Sequence, residues 1–150
     1  MARNIVAESC GFELDDPYGG LARKKPRNID IQGTRELFLK QPESVKEWAR
    51  GLVADDWRFY LVHQQRGYCD MPSRIITIPA WATNELKEGK GFLTWYICHE
   101  MAHAYDKCRH GHRKEFMQWL IKICPSNCIQ HEMGYKPRNA KAAGIDLLDL

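Results

Sequence analysis

The chain has 150 residues, of which 44% are hydrophobic and 27% are charged. This balance is typical of one compact domain with a hydrophobic core, and a second domain would hardly fit. The start of the chain lacks the apolar segment of a secretion signal, and no apolar run approaches the roughly 18 residues that a membrane span needs. We therefore expect an intracellular, cytoplasmic protein that has no membrane partner.

The formal net charge of +3 is only mildly basic and does not by itself predict nucleic-acid binding. Two basic segments, residues 23–27 and 136–141, are candidates for contacts with phosphates, although a solvated arm is the favoured interpretation of both. Six cysteines occur, at positions 10, 69, 98, 108, 124 and 128. Without a secretion signal they predict reduced thiols rather than a disulfide framework.

The first half of the chain predicts one helix and two strands. Residues 1–40 have an irregular pattern and predict a partly ordered N-terminal arm, which precedes a domain over residues 41–150. Residues 43–53 place apolar side chains at helical spacing. The β-rich runs 57–62 and 74–78 follow each other along the chain and predict a pair of antiparallel strands.

The second half of the chain is predicted to be helical. Residues 81–86 predict a short helical segment, and residues 92–107 repeat apolar side chains like one face of a buried helix. A further helix contains residues 116–123 and stops at Pro125. The predicted fold class is therefore α+β, with a small antiparallel sheet packed against helices.

The predicted helix over residues 92–107 contains the pattern HExxH, from His99 to His103. Residues four apart in a helix lie about 40° apart around the axis and about 6 Å along it, so both imidazoles can bind one metal ion. Glu100 is turned about 100° from His99, where its carboxylate can take a proton from a water held by the metal. This pattern indicates a zinc hydrolase in which Glu100 is the general base.

A catalytic zinc ion needs a third protein ligand, because it has three such ligands and one open position. The metzincin spacing is absent from this chain. We favour His112, because Gly111 allows the chain to turn and a helix starts shortly after it. His110 and Asp106 are the alternatives for the third ligand.

Several segments resemble motifs of the SprT-like zinc metallopeptidases. Residues 98–105 are similar to the HExxHAY motif of that family, and Gly111-His112 with Glu115-Phe116 is similar to its GHGPEF motif. Residues 67–78 look like its second strand. The resemblance covers residues 42–125 in the order of the elements.

The resemblance implies a zincin-like domain in which HExxH lies on the central helix. It implies His99, His103 and His112 as ligands of one catalytic Zn²⁺, Glu100 as the base, and protein substrates. Arg113-Lys114 stand where the family has Gly-Pro, and no zinc ribbon follows. The alternative function is a zinc-containing regulatory or DNA-associated binding protein with little proteolytic activity.

Further residues are candidates for supporting roles. A zincin needs a donor that stabilises the oxyanion of the transition state, and Tyr135 and His131 are candidates for it. Cys108, Cys124 and Cys128 have a spacing that suits a second, structural zinc ion, although reduced thiols without metal are the favoured interpretation.

Overall fold

A computed structural model describes residues 26–135 of the chain, and the side chains of residues 26–133. Four short strands and six α-helices lie in this part, which confirms the predicted α+β class. A short 3₁₀ helix, Ala80–Thr83, also occurs there. The elements in chain order are β1 (Ile29–Asp30), α1 (Ile31–Leu39), α2 (Glu43–Ala54), β2 (Arg58–Val62), β3 (Tyr68–Asp70), β4 (Ile75–Pro79), α3 (Glu85–Glu88), α4 (Phe92–Tyr105), α5 (Lys114–Ile123) and α6 (Gln130–Tyr135).

The sheet is mixed rather than antiparallel. Its strand order is β1-β2-β4-β3, and β2 runs parallel to β4 with Phe59 opposite Ile76. The prediction that these two strands form an antiparallel pair is therefore wrong. Parallel strands need a crossover connection, and residues 63–74 provide it by forming β3, which pairs antiparallel with the far side of β4.

Both faces of β2 are buried. Phe59 and Leu61 join the main core with the helices, whereas Tyr60 and Val62 pack with Ile75 in a second cluster. Successive side chains of a strand point to opposite faces, so a strand that is covered on both faces is apolar throughout. This burial accounts for the continuous apolar run that the sequence shows here.

The predicted helices of the core are confirmed as α2, α4 and α5. α4 contacts α2, α5 and the strands β3 and β4. Trp95, Cys98 and Ala102 are buried, as their spacing predicted. The burial extends to the polar residues of the same helix, because His99 is 6% exposed and Glu100 is 8% exposed.

The end of the predicted N-terminal arm belongs to the core. β1 pairs with β2, and α1 packs against β2. Phe38 is fully buried, with its ring centroid 5.0 Å from that of Phe59. Residues 29–39 are therefore an ordered part of this segment, because this short strand and helix cover one edge of the sheet.

Parts of the two basic segments lie outside the described residues. This holds for residues 23–25 and for all of residues 136–141. Their contact with phosphates therefore stays a prediction. Within residues 26–135, no helix is long and apolar enough to cross a lipid bilayer.

Candidate metal centre

The three predicted ligands come from one helix and the loop after it. His99 and His103 lie one turn apart in α4, and His112 lies between α4 and α5. Gly111 has a φ of +55°, a left-handed conformation that glycine adopts without steric cost. The chain turns at this residue, and α5 then packs against α4. The turn predicted at Gly111 is confirmed, and it brings His112 back to α4.

The Nε2 atoms of the three imidazoles converge. Nε2 of His112 lies 3.0 Å from Nε2 of His103 and 3.3 Å from Nε2 of His99. In a tetrahedral site with Zn–N bonds of about 2.05 Å, the ligand nitrogens lie about 3.3 Å apart. A neutral imidazole has one N–H, so His112 cannot donate from Nε2 to both neighbours. The arrangement therefore fits three lone pairs that bind one cation.

A buried carboxylate orients His99. Glu132 in α6 is fully buried, and its Oε1 lies 2.8 Å from Nδ1 of His99. The same oxygen accepts a hydrogen bond from Nε1 of Trp95 at 3.0 Å. An imidazole that donates Nδ1–H to a carboxylate presents a lone pair on Nε2. Glu132 thus selects the tautomer of His99 that can bind a metal ion.

Sequence analysis missed Glu132. It follows His131 in a segment of weak pattern, and the contact joins residues 33 positions apart along the chain. An acidic residue beside a helix-forming segment is too common to predict such a role. Only the packing of α6 against α4 reveals it.

The ring of Phe116 packs against all three imidazoles. Its centroid lies 5.0 Å from that of His99, 4.3 Å from that of His103 and 5.1 Å from that of His112. Phe116 is fully buried in α5. Close packing restricts rotation of the imidazoles. Phe116 of α5 therefore helps to hold the three ligands in position.

Glu100 lies next to this cluster, but its carboxylate is not one of the grouped ligand atoms. With His99 it lines a cavity of about 440 Å³. The indole of Trp81 and the phenol of Tyr96 form part of the same wall. A group that binds in this cavity is therefore close to both His99 and Glu100.

The loop before β3 also lines the cavity. The Nε1–H of Trp81 donates to the carbonyl of Gln65 at 2.7 Å, and the backbone N–H of Gly67 donates to the hydroxyl of Tyr96 at 3.1 Å. A Cβ atom at residue 67 would lie 2.4 Å from the carbonyl oxygen of Thr77. Only glycine permits this approach. The two hydrogen bonds hold the loop against α4 through Tyr96 and against the 3₁₀ helix through Trp81.

The alternative third ligands bind each other. Nδ1 of His110 lies 2.6 Å from Oδ1 of Asp106, and the backbone N–H of His110 donates to Oδ2 at 2.9 Å. Neither side chain belongs to the group of converging ligand atoms. Of the three candidates considered for the third position, the structure brings only His112 to His99 and His103.

Of the two candidates for transition-state stabilisation, only His131 has a side chain among the described residues. Nε2 of His131 donates to the carbonyl of Lys90 at 2.9 Å, and its ring packs on Phe92 at 5.5 Å, where α4 begins. Its ring N–H is therefore used outside the cluster. Tyr135 ends α6, and its side chain lies outside the described residues.

The second zinc site suggested by the cysteine spacing is not formed. Sγ of Cys108 lies 3.8 Å from Sγ of Cys69, whereas Cys124 and Cys128 are buried in the core after α5. None of the three candidate cysteines belongs to a group of converging ligand atoms. Within residues 26–135, the three histidines are the only group of three or more His, Cys, Asp or Glu ligand atoms that could hold a metal ion.

Comparison of the chain with family models found no match, and comparison with curated proteins and with solved structures found no significant match. The kind of site must therefore be inferred from its own residues. Three imidazoles, an orienting carboxylate and an adjacent cavity are the parts of a metal-binding site.

Proposed function

We propose that the chain is a zinc-dependent metallopeptidase with a zincin-like fold, which hydrolyses peptide bonds of protein substrates. The observation that carries this proposal is the convergence of the Nε2 atoms of His99, His103 and His112 beside the glutamate of an HExxH helix. A catalytic zinc ion is bound by three protein ligands and keeps one open position. The resemblance to SprT-like metallopeptidases rests on the same residues.

The division of roles follows from the position of each group. Zinc bound by the three imidazoles would acidify a water molecule and polarise the scissile carbonyl. Glu100 takes a proton from the attacking water and transfers it to the leaving amine. Glu132 and Phe116 hold the imidazoles in place, so neither needs to contact the substrate.

The cavity supports a peptide as the substrate. Its volume of about 440 Å³ lies in the range of ligand pockets, roughly 300–1,000 Å³. The aromatic side chains of Trp81 and Tyr96 suit apolar side chains, and the exposed guanidinium of Arg66 lies at the same cavity. These walls suit an apolar side chain of an extended peptide segment, which is the substrate class of this proposal.

Replacement of Glu100 by Gln tests the proposal. The variant keeps the size of the side chain but removes the base, so we expect it to retain zinc and to lose roughly 10²- to 10⁴-fold in the rate of proteolysis. Cleavage of fluorescently labelled, unfolded casein measures the rate, and elemental analysis measures the zinc content.

The matched control is Glu85→Gln, which changes an exposed glutamate of α3 in the same way. This variant should cleave casein as the original chain does. Equal cleavage by the Glu100→Gln variant would contradict the assigned base. A folded, zinc-loaded chain that cleaves no protein substrate would instead favour a regulatory or binding role.

A further inference from the structure

Two cysteines lie close together beside the candidate metal centre. Sγ of Cys69 in β3 and Sγ of Cys108 in the loop after α4 are 3.8 Å apart. β3 packs against α4, the helix that contains HExxH, and Cys108 follows the end of that helix by three residues. None of the steps proposed above uses either cysteine.

The two cysteines of the pair differ in how freely they can move. Cys69 is fixed because it pairs with Ile76 within the sheet. Cys108 is exposed and has a φ of +53°, directly after Lys107 with a φ of +55°. A disulfide needs an S–S distance of about 2.05 Å, so the two sulfur atoms must move closer together. The exposed loop that carries Cys108 is the part that can make this movement.

Access to oxidants also favours this pair over the other cysteines of the described chain. Cys108 is exposed and Cys69 is partly buried. Thiolates rather than thiols react with oxidants, and access matters equally. Cys98, Cys124 and Cys128 are at most 6% exposed, and burial raises the pKa of Cys98 and Cys128.

We propose that Cys69 and Cys108 are a redox-sensitive pair that hydrogen peroxide converts into a disulfide. The thiolate of Cys108 attacks one oxygen of the peroxide, which breaks the O–O bond, gives a sulfenic acid and releases one water after protonation. The thiol of Cys69 then attacks the sulfenic sulfur and expels the second water. Two thiols are oxidised, and one peroxide is reduced to two waters.

The disulfide would restrain the loop that carries His112. Cys108 lies four residues before His112, and the bond would join this loop to β3 of the sheet. A metal ion leaves the site only if a ligand moves away from it. The oxidised chain should therefore release its metal to a chelator several-fold more slowly than the reduced chain. This consequence rests on the proposed zinc site, whereas the disulfide itself does not.

Peroxide treatment of the full chain, followed by blocking of free thiols and peptide mapping without reduction, tests the pair. We expect one disulfide, between residues 69 and 108, and its absence in Cys69→Ser and Cys108→Ser. The matched control variants Cys10→Ser and Cys128→Ala should still form the disulfide between residues 69 and 108. A disulfide between Cys98 and Cys124, or oxidation of Cys108 to a sulfinic acid without a disulfide, would overturn the proposal.

The release of zinc to a coloured chelator, measured before and after oxidation, tests the link to the metal centre. Slower release in the mapped disulfide form supports it, and unchanged release in that form overturns it. If the reduced chain holds no zinc, the proposed function fails, while the peptide map still decides whether the pair forms.

Discussion

At the scale of single residues, the cluster depends on a carboxylate that does not bind the metal. Glu132 accepts hydrogen bonds from His99 and Trp95 through the same oxygen, Oε1. Its other oxygen, Oε2, is buried without a hydrogen-bond partner. Burial of a carboxylate is costly unless it is well compensated. The positive charge of a cation bound by the three imidazoles would provide a reason for this buried carboxylate.

We expect Glu132→Gln to weaken zinc binding by roughly 10- to 100-fold, as is typical when the orienting partner of a ligand is lost. Gln keeps an acceptor for His99 but not the negative charge that increases the basicity of the imidazole. Competition with a chelator of known affinity measures the change, and circular dichroism checks the fold. Glu85→Gln in the exposed helix α3 is the control. Equal affinity in Glu132→Gln would show that the carboxylate has only a packing role.

At the scale of elements, the core helices could be predicted because their apolar residues repeat over several turns. α2, α4 and α5 have such patterns, whereas α1 and α6 have nine and six residues and gave too few repeats. β3 has three residues, which are too few for an alternating pattern to predict a strand. The parallel pairing of β2 with β4 depends on where β3 lies in the sheet. Tertiary contacts decide that position, and no local sequence pattern contains them.

α1 illustrates how a short element is stabilised at its start. Asp30 is its N-cap, and its Oδ1 accepts a hydrogen bond from the backbone N–H of Gly33 at 2.8 Å. This bond, together with His63, holds the pKa of Asp30 below its ordinary value of 3.8. The carboxylate therefore stabilises the fold fully above pH 3.8, and this contribution is lost as the pH falls through the lower pKa of the folded chain.

We expect Asp30→Ala to lower the free energy of unfolding by about 1 kcal/mol at pH 7, as is typical for the loss of an N-cap. The difference should shrink below pH 3.8. Urea unfolding of the metal-free proteins at pH 7 and pH 3 measures it, because acid would release a metal from histidine. Asp30→Asn, which keeps a capping oxygen without the charge, should lose less than Asp30→Ala at pH 7 and should show a smaller dependence on pH. A deficit for Asp30→Ala that is equal at both pH values would contradict a role for the charge.

At the scale of the whole molecule, the candidate centre joins three helices that are separate along the chain. α4 contributes His99 and His103, α5 contributes Phe116, and α6 contributes Glu132. The ligands could be predicted, because helical spacing fixes the first two and Gly111 indicates the turn before the third. The residues that hold the ligands could not, since they reach the site only through the packing of helices.

The zinc content of the purified chain, measured by elemental analysis, tests this account most directly. We expect one zinc ion per chain, a substantial loss in His112→Ala, and full retention in His110→Ala, whose side chain is bound to Asp106 instead. All three proteins would be produced under identical conditions and checked for folding. No metal in the folded original chain, or equal zinc in His112→Ala, would contradict a metal centre built from these three histidines.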